Sequence, residues 1–218
     1  MTAIATQVQR LVALGYPKHL GMTVEAFEAA LRPLQAHAPS TWPEVDIDDG
    51  RVEVVLVVNT PRLPVRVTLP LVERNGQGAV ERLYPKKSED FLPIPTVPIP
   101  TGEAYLLLGV DRGNATLNAV PTDAARTLAR AGRSPLTVEE GVSLLVQWPQ
   151  FLQPNRCFMM LGSRCGDRRV PALWLSGKQP KLGWCWEGNP HTWLGFASCT
   201  TRSPGVQLDL PDDSTGSA

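Results

Sequence analysis

The sequence specifies an α+β fold: an N-terminal helical hairpin, a mixed or antiparallel sheet, two central helices and a C-terminal Trp-rich antiparallel meander. Apolar residues recur at a 3.6-residue period near the N-terminus, and proline, glycine and capping residues bound two further helices, 122–131 and 137 to about 148. Short apolar or alternating runs stand between these helical stretches and read as strands. The third pattern is a dense block. All four cysteines, four of the six tryptophans and one of the three histidines fall between Cys157 and Cys199.

Residues 3–14 carry Ile4, Val8, Leu11 and Val12 on one helical face, closed by Gly15. After a turn at Tyr16-Pro17, Thr23 caps a second helix to about Leu34, with Val24, Phe27, Leu31 and Leu34 on one side. Residues 1–37 are thus a hairpin packed on the body, 38–202 a single α+β domain, and 203–218 a disordered tail rich in Asp, Ser, Gly and Pro. Within the domain, 51–58 reads as a buried strand and 65–69 as its hairpin partner. Residues 73–91 are polar and ambiguous. Leu92 to Pro100 alternates apolar residues with proline, which cannot donate to a ladder, and reads as an extended surface segment. A strand over 103–110 follows. Pro121 then opens a helix that Gly132 stops, and Thr137 and Glu140 form a capping box for another helix ending before Pro149.

Three strands fit the Trp–Cys block, about 169–176, 181–186 and 191–199, with four-residue turns at 177–180 and 187–190. Regular turns pair Trp174 with Gly183, Ala172 with Cys185, Trp186 with His191 and Trp184 with Trp193. Trp174 then shields a glycine in the neighbouring strand. Alternation places Leu173, Leu182, Trp184, Trp186, His191 and Trp193 on one face, and Val170, Ala172, Trp174, Cys185 and Phe196 on the other. Both faces are apolar, so the sheet needs cover on both sides.

Lysine plus arginine equals aspartate plus glutamate at 21 each, so the surface has no general pull on polyanions and nucleic acid is not an expected partner. The longest apolar run, 54–58, is far below a membrane span, and no signal peptide is visible. The expected setting is the cytosol, where the four thiols stay reduced.

Three chemistries compete for the block, each beside a plain structural reading. Cys157, Cys165, Cys185, His191 and Cys199 are numerous enough to hold zinc, but no pair has the CxxC spacing, and buried core thiols explain them as well. The chain demands no cofactor; zinc is the alternative. Cys165 sits in a loop beside Arg164, Arg168 and Arg169, whose charge lowers a thiol pKa, and His191 is the available base for a nucleophilic mechanism. Third, Arg112, Arg133 and Arg164 each follow the end of a regular element and can converge on a carboxylate or phosphate. Asp167, Arg168, Asn189, His191, Trp184, Trp186 and Trp193 complete a site for a small anionic or aromatic ligand, or for a protein partner. That site lies where the 164–169 loop meets the 187–193 turn.

The strings Gly132 to Gly141, Leu161 to Trp174 and Lys181 to Gly195 resemble a family of uncharacterised proteins from high-GC bacteria, over most of the chain to about Arg202. The resemblance implies a bacterial, intracellular, stand-alone protein and no particular activity.

Overall fold

The computed structural model describes residues 3–39 and 45–211. Helix α1 (Ala3–Ala13) buries Ile4, Val8 and Leu11, the stripe its spacing requires. Tyr16-Pro17, expected as a turn, instead opens a short helix, α2 (Tyr16–Leu20), because proline near a helix start loses no N–H bond. In α3 (Val24–Leu31) the Thr23 side chain accepts from Ala26 N at 3.1 Å, and the last turns tighten into a 3₁₀ helix over Arg32–His37.

Strand β1 (Val45–Asp46) leads into β2 (Arg51–Val58). Gln7 joins α1 to β2, donating to Val54 O at 3.1 Å and accepting from Leu56 N at 2.7 Å. The segment expected as β2's partner is a helix, α4 (Val65–Thr68), continued by a 3₁₀ turn through Leu71. Pro64 starts it and Pro70 lies two residues past its end. Alternation over the five residues Val65 to Leu69 is too short to distinguish strand from helix. The ambiguous stretch supplies three short strands, β3 (Glu73–Arg74), β4 (Gln77–Gly78) and β5 (Val80–Arg82). In the proline-rich segment only β6 (Leu92–Pro93) pairs, while Val97 is buried.

β2's true neighbour is β7 (Ala104–Asp111), antiparallel from Arg51↔Asp111 to Val58↔Ala104. Helix α5 (Pro121–Arg130) ends before Gly132 at φ 64° and leads to β8 (Ser134–Pro135). In α6 (Val138–Gln147) the predicted capping box is present. Glu140 N donates to Thr137 Oγ1 at 3.3 Å, and Thr137 N donates to Glu140 Oε2 at 2.9 Å. Nine of its ten residues are buried, which is the signature of a central helix.

The chain then forms β9 (Cys157–Met159), β10 (Ser163–Arg164), β11 (Arg169–Ser176), β12 (Gln179–Trp186), β13 (Leu194–Phe196), β14 (Ser198–Cys199) and β15 (Thr201–Arg202). One sheet runs β1-β2-β7-β14-β8, with β15 also on β7; the second runs β13-β9-β11-β12-β5. The chain passes from the second to the first at Ala197, whose N–H bonds Met159 O and whose carbonyl accepts from Leu136 N. α6 reaches both: Glu140 bonds Tyr105 of β7, and Gly141 faces Phe158 of β9.

The β11–β12 hairpin is two residues out of the expected register, with Ser176↔Gln179 and Ala172↔Gly183. Gly177 and Lys178 both take left-handed φ, 60° and 68°, and close a two-residue turn. Pro180 fits inside β12 because β5 pairs only with residues 181–183. A slip of two preserves faces, so the face assignment within this hairpin stands. Trp174 does cover Gly183, diagonally; a Cβ there would strike the indole. The third strand is not where it was expected. β12's outer edge is taken by β5, in parallel, so β13 pairs in parallel with β9 and Trp184 does not face Trp193.

The segment 203–211, expected as disordered, packs on the body. Leu106 N donates to Ser203 Oγ at 3.0 Å, Val206 bridges Ala104, and Leu208 is buried with its N–H on Glu103 Oε2 at 3.0 Å. Two apolar anchors in a polar stretch suffice to hold it. Residues 212–218 lie outside the described residues.

Candidate functional site

The loop from Arg164 to Arg169 is folded around one carboxylate. Gly166, at φ 78°, makes the turn that a side chain would strain. Asp167 then accepts from Arg169 N at 2.9 Å and pairs with the Arg169 guanidinium, and Lys86 Nζ stands 3.7 Å away. The Arg169 N–H, then the Cys165 thiol and the Arg169 guanidinium, hold the Asp167 carboxyl below its ordinary range. The Cys165 thiol donates to the same carboxylate at 3.2 Å. Burial, then this bond and the carboxylate charge, push the thiol pKa up. The arginines therefore do not activate Cys165: Asp167 pairs with Arg169, Glu187 faces Arg164, and the thiol itself meets a carboxylate.

Strand alternation puts Trp184 and Trp186 on one face, and register puts Arg169 opposite Trp186. The guanidinium lies 4.5 Å from the Trp184 ring centroid and 5.0 Å from that of Trp186, and the two indoles meet edge to face at 5.3 Å. Trp184 Nε1 donates to Leu83 O at 3.1 Å and Tyr84 O at 3.3 Å, fixing that segment beside the hairpin. On the loop's other flank Leu92 pairs with Arg164, and Arg164 faces Glu187 at 3.9 Å. Glu187 N bonds Arg168 O at 2.8 Å, and the Arg168 side chain lies against Gly188. The loop and the first half of the 187–193 turn therefore meet as expected.

The second half goes elsewhere. His191 and Trp193 are in ring contact at 5.4 Å, and Trp193 meets Trp174 edge to face at 6.3 Å, on the far side of β11 from β12's Trp pair. His191 Nε2 is buried without a hydrogen-bond partner, and burial lowers its pKa. His191 is not among the partners of Cys165, so the proposed nucleophile and base are not assembled. Asn189 is exposed, its N–H closing the turn on Trp186 O.

All four thiols are free. Among the described residues no three His, Cys, Asp or Glu side chains converge in a way that could hold a metal ion. Cys157 and Cys199 are core residues, and burial raises the Cys185 and Cys199 pKa values to about 11. Arg112 is fully buried and holds loops together through Phe151 O at 2.7 Å, Asp48 O at 3.1 Å and Asn114 Oδ1 at 3.0 Å. It does not join Arg133 and Arg164 at a common site.

Two features had not been read from the sequence. One is Tyr84 and Lys86 in the ambiguous 73–91 stretch: Lys86 reaches Asp167 of the loop, and the Tyr84 carbonyl is held by Trp184. The other is a buried cluster in which Arg202 grips the Glu140 carboxylate with two bonds, of 2.6 and 2.7 Å, and Tyr105 adds a third at 2.9 Å. Glu140 was legible as a cap, but the pairing with Arg202 across 62 residues was not.

Among the described residues no helix is long and apolar enough to cross a membrane. The chain belongs to a family of unknown function, DUF5701, whose model matches residues 10–205. No curated protein and no solved structure matches it.

Proposed function

We propose that this member of a family of unknown function acts by binding, and that a protein partner docks on the face around residues 164–169. The observation that carries this reading is exposure. Tyr84 is 90 % exposed, Leu92 65 % and Trp186 42 %. Leu92 and Trp186 pair with Arg164 and Arg169 at the ends of the loop, and Tyr84 is held beside them by its carbonyl on the Trp184 indole. Such exposed apolar side chains are what a covering partner removes from water. Tyr, Trp and Arg dominate the binding energy of protein interfaces, and here Trp186 is already held by Arg169.

A protein suits this face better than a small ligand does, because a side chain as exposed as Tyr84 does not line a concavity. Charges of both signs rim it: Lys86 and Arg168 against Asp167 and Glu187. They favour one docking orientation more than they add affinity. The setting we infer is the cytosol of a high-GC bacterium. Burial and the Asp167 carboxylate push the Cys165 thiol pKa up, the opposite of what a nucleophile needs.

The test is a comparison of affinity-purified complexes from the native host, using wild type and the Tyr84→Ser/Trp186→Ser double variant. Trp186 also packs on Arg169 and Trp184, so both proteins are first matched for folding by circular dichroism. The reading expects a defined protein bound to wild type and lost from the variant. Identical protein sets on both would overturn it.

A further inference from the structure

Behind the same loop, α5, β8 and the extended segment 94–96 enclose a cleft of ≈ 240 Å³. Its inner wall is apolar, with Leu128 and Leu161 buried and Ile94 and Pro135 beside them, while Ala125 and Ala129 stand at its rim on the exposed side of α5. Arg133 and Arg164 both line it, from different elements. Arg133 is anchored by neutral acceptors: Nε to Ser198 Oγ at 2.8 Å, and Nη2 to Gly109 O at 2.6 Å and Ser198 O at 3.1 Å. Its Nη1 has only a long contact, 3.4 Å, to Thr200 Oγ1. Among the described residues no carboxylate lies within ion-pair distance of Arg133.

Arg164 is fixed by Nη1 on Leu161 O at 2.9 Å and Ser163 O at 3.0 Å. Its one acidic neighbour among the described residues, Glu187, is 3.9 Å away. Arg164 Nε and Nη2 make no hydrogen bond within the described residues. The cleft is thus lined by two anchored arginines with one distant counter-charge, beside an apolar wall. Rigid guanidiniums lose little further entropy on meeting an anion, and their planar forks suit carboxylate oxygens.

We propose that this cleft binds a short-chain carboxylate, its oxygens on Arg133 and Arg164 and its apolar tail against Leu128 and Leu161. A cleft of ≈ 240 Å³ suits a small molecule rather than a chain, and hexanoate is the probe chosen. The cleft shares Arg164 with the protein-docking face, but hexanoate binding and partner capture are separate readouts, so either proposal can fail without the other.

The test is a titration of ¹⁵N-labelled protein with hexanoate, with hexanamide as its neutral counterpart and with inorganic phosphate. Hexanoate should shift the Thr96, Ala129 and Ser134 amides saturably, and hexanamide should act about tenfold more weakly. Ala129→Phe, at a solvent-facing helix position, should fill the mouth and weaken hexanoate about tenfold while leaving distant amides unmoved. Direct replacement of Arg133 or Arg164 would also remove their structural bonds, so it is not the deciding variant. The proposal is overturned if hexanoate leaves these amides in place, if hexanamide binds equally, or if Ala129→Phe has no effect. Phosphate binding as tightly as hexanoate would overturn the assignment to a carboxylate with a tail.

Discussion

Glu140→Gln should be among the most damaging single-atom changes available in this protein. Glu140 is fully buried and the Arg202 side chain is 2 % exposed. The carboxylate accepts from Arg202 Nε and Nη2, from Tyr105 Oη and from Thr137 N, so both oxygens are occupied. Glutamine preserves the volume and one acceptor, but its amide NH₂ must face Arg202 or Thr137 N, donor against donor. It also leaves a guanidinium buried without its counter-charge. Breaking a buried ion pair from one side costs about 3–5 kcal/mol. In a domain of this size that lowers Tm by roughly 6–20 °C. Urea denaturation followed by circular dichroism measures it directly. Removing both charges, in Glu140→Gln/Arg202→Met, should cost less than the two single changes together, with a coupling above about 1 kcal/mol. Arg202 also donates to Ser134 Oγ at 2.7 Å and Pro135 O at 3.1 Å, so the single variant should loosen the carboxylate cleft as well. A loss below about 1 kcal/mol would refute the reasoning, because it would mean that the pair is solvated.

Other outcomes follow from the thiols. Cys185 and Cys199 have folded pKa values raised to about 11 by burial, so the unfolded chain loses these protons first. Their contribution is intact below about pH 9 and is lost as pH rises toward 11, by roughly 2–3 kcal/mol per thiol. Urea midpoints at pH 8, 9.5 and 10.5 should fall in that order, and less steeply in a Cys185→Ala/Cys199→Ala variant; equal slopes for the two proteins would contradict this. Iodoacetamide at neutral pH should label Cys165 before the buried thiols, yet no faster than free glutathione, since Asp167 keeps its proton on. A rate tenfold above glutathione would restore the nucleophile.

Local structure was legible wherever it rests on local chemistry. The stripe of α1, the Thr23 cap, the capping box of α6 and the β2 and β7 strands each follow from residues within one or two turns of one another. The misreadings are all long-range or too short to carry a period. Five residues after Pro64 satisfied both a strand and a helix. Gly177-Lys178 and a four-residue turn differ only in which φ angles close the hairpin, and the slip of two left every side chain on its expected face. β5's claim on the edge of β12 was invisible, because three residues in a polar stretch give no signal until they meet their partner. The same limit applies to the site. Arg164, Asp167, Arg168 and Trp186 gather near the loop because they are close in sequence or in register. His191 and Trp193 leave with β13, and Arg112 is spent on carbonyls. Tyr84 and Leu92 arrive through β5 and β6, which pattern alone did not place.

The most direct test of the docking face is photo-cross-linking in the native host, with the reactive residue at position 84 and, as control, at exposed Lys18 on α2. The account predicts a discrete adduct from position 84, absent from position 18, and abolished by Trp186→Ser. No adduct from position 84, or the same adducts from both positions, would contradict it.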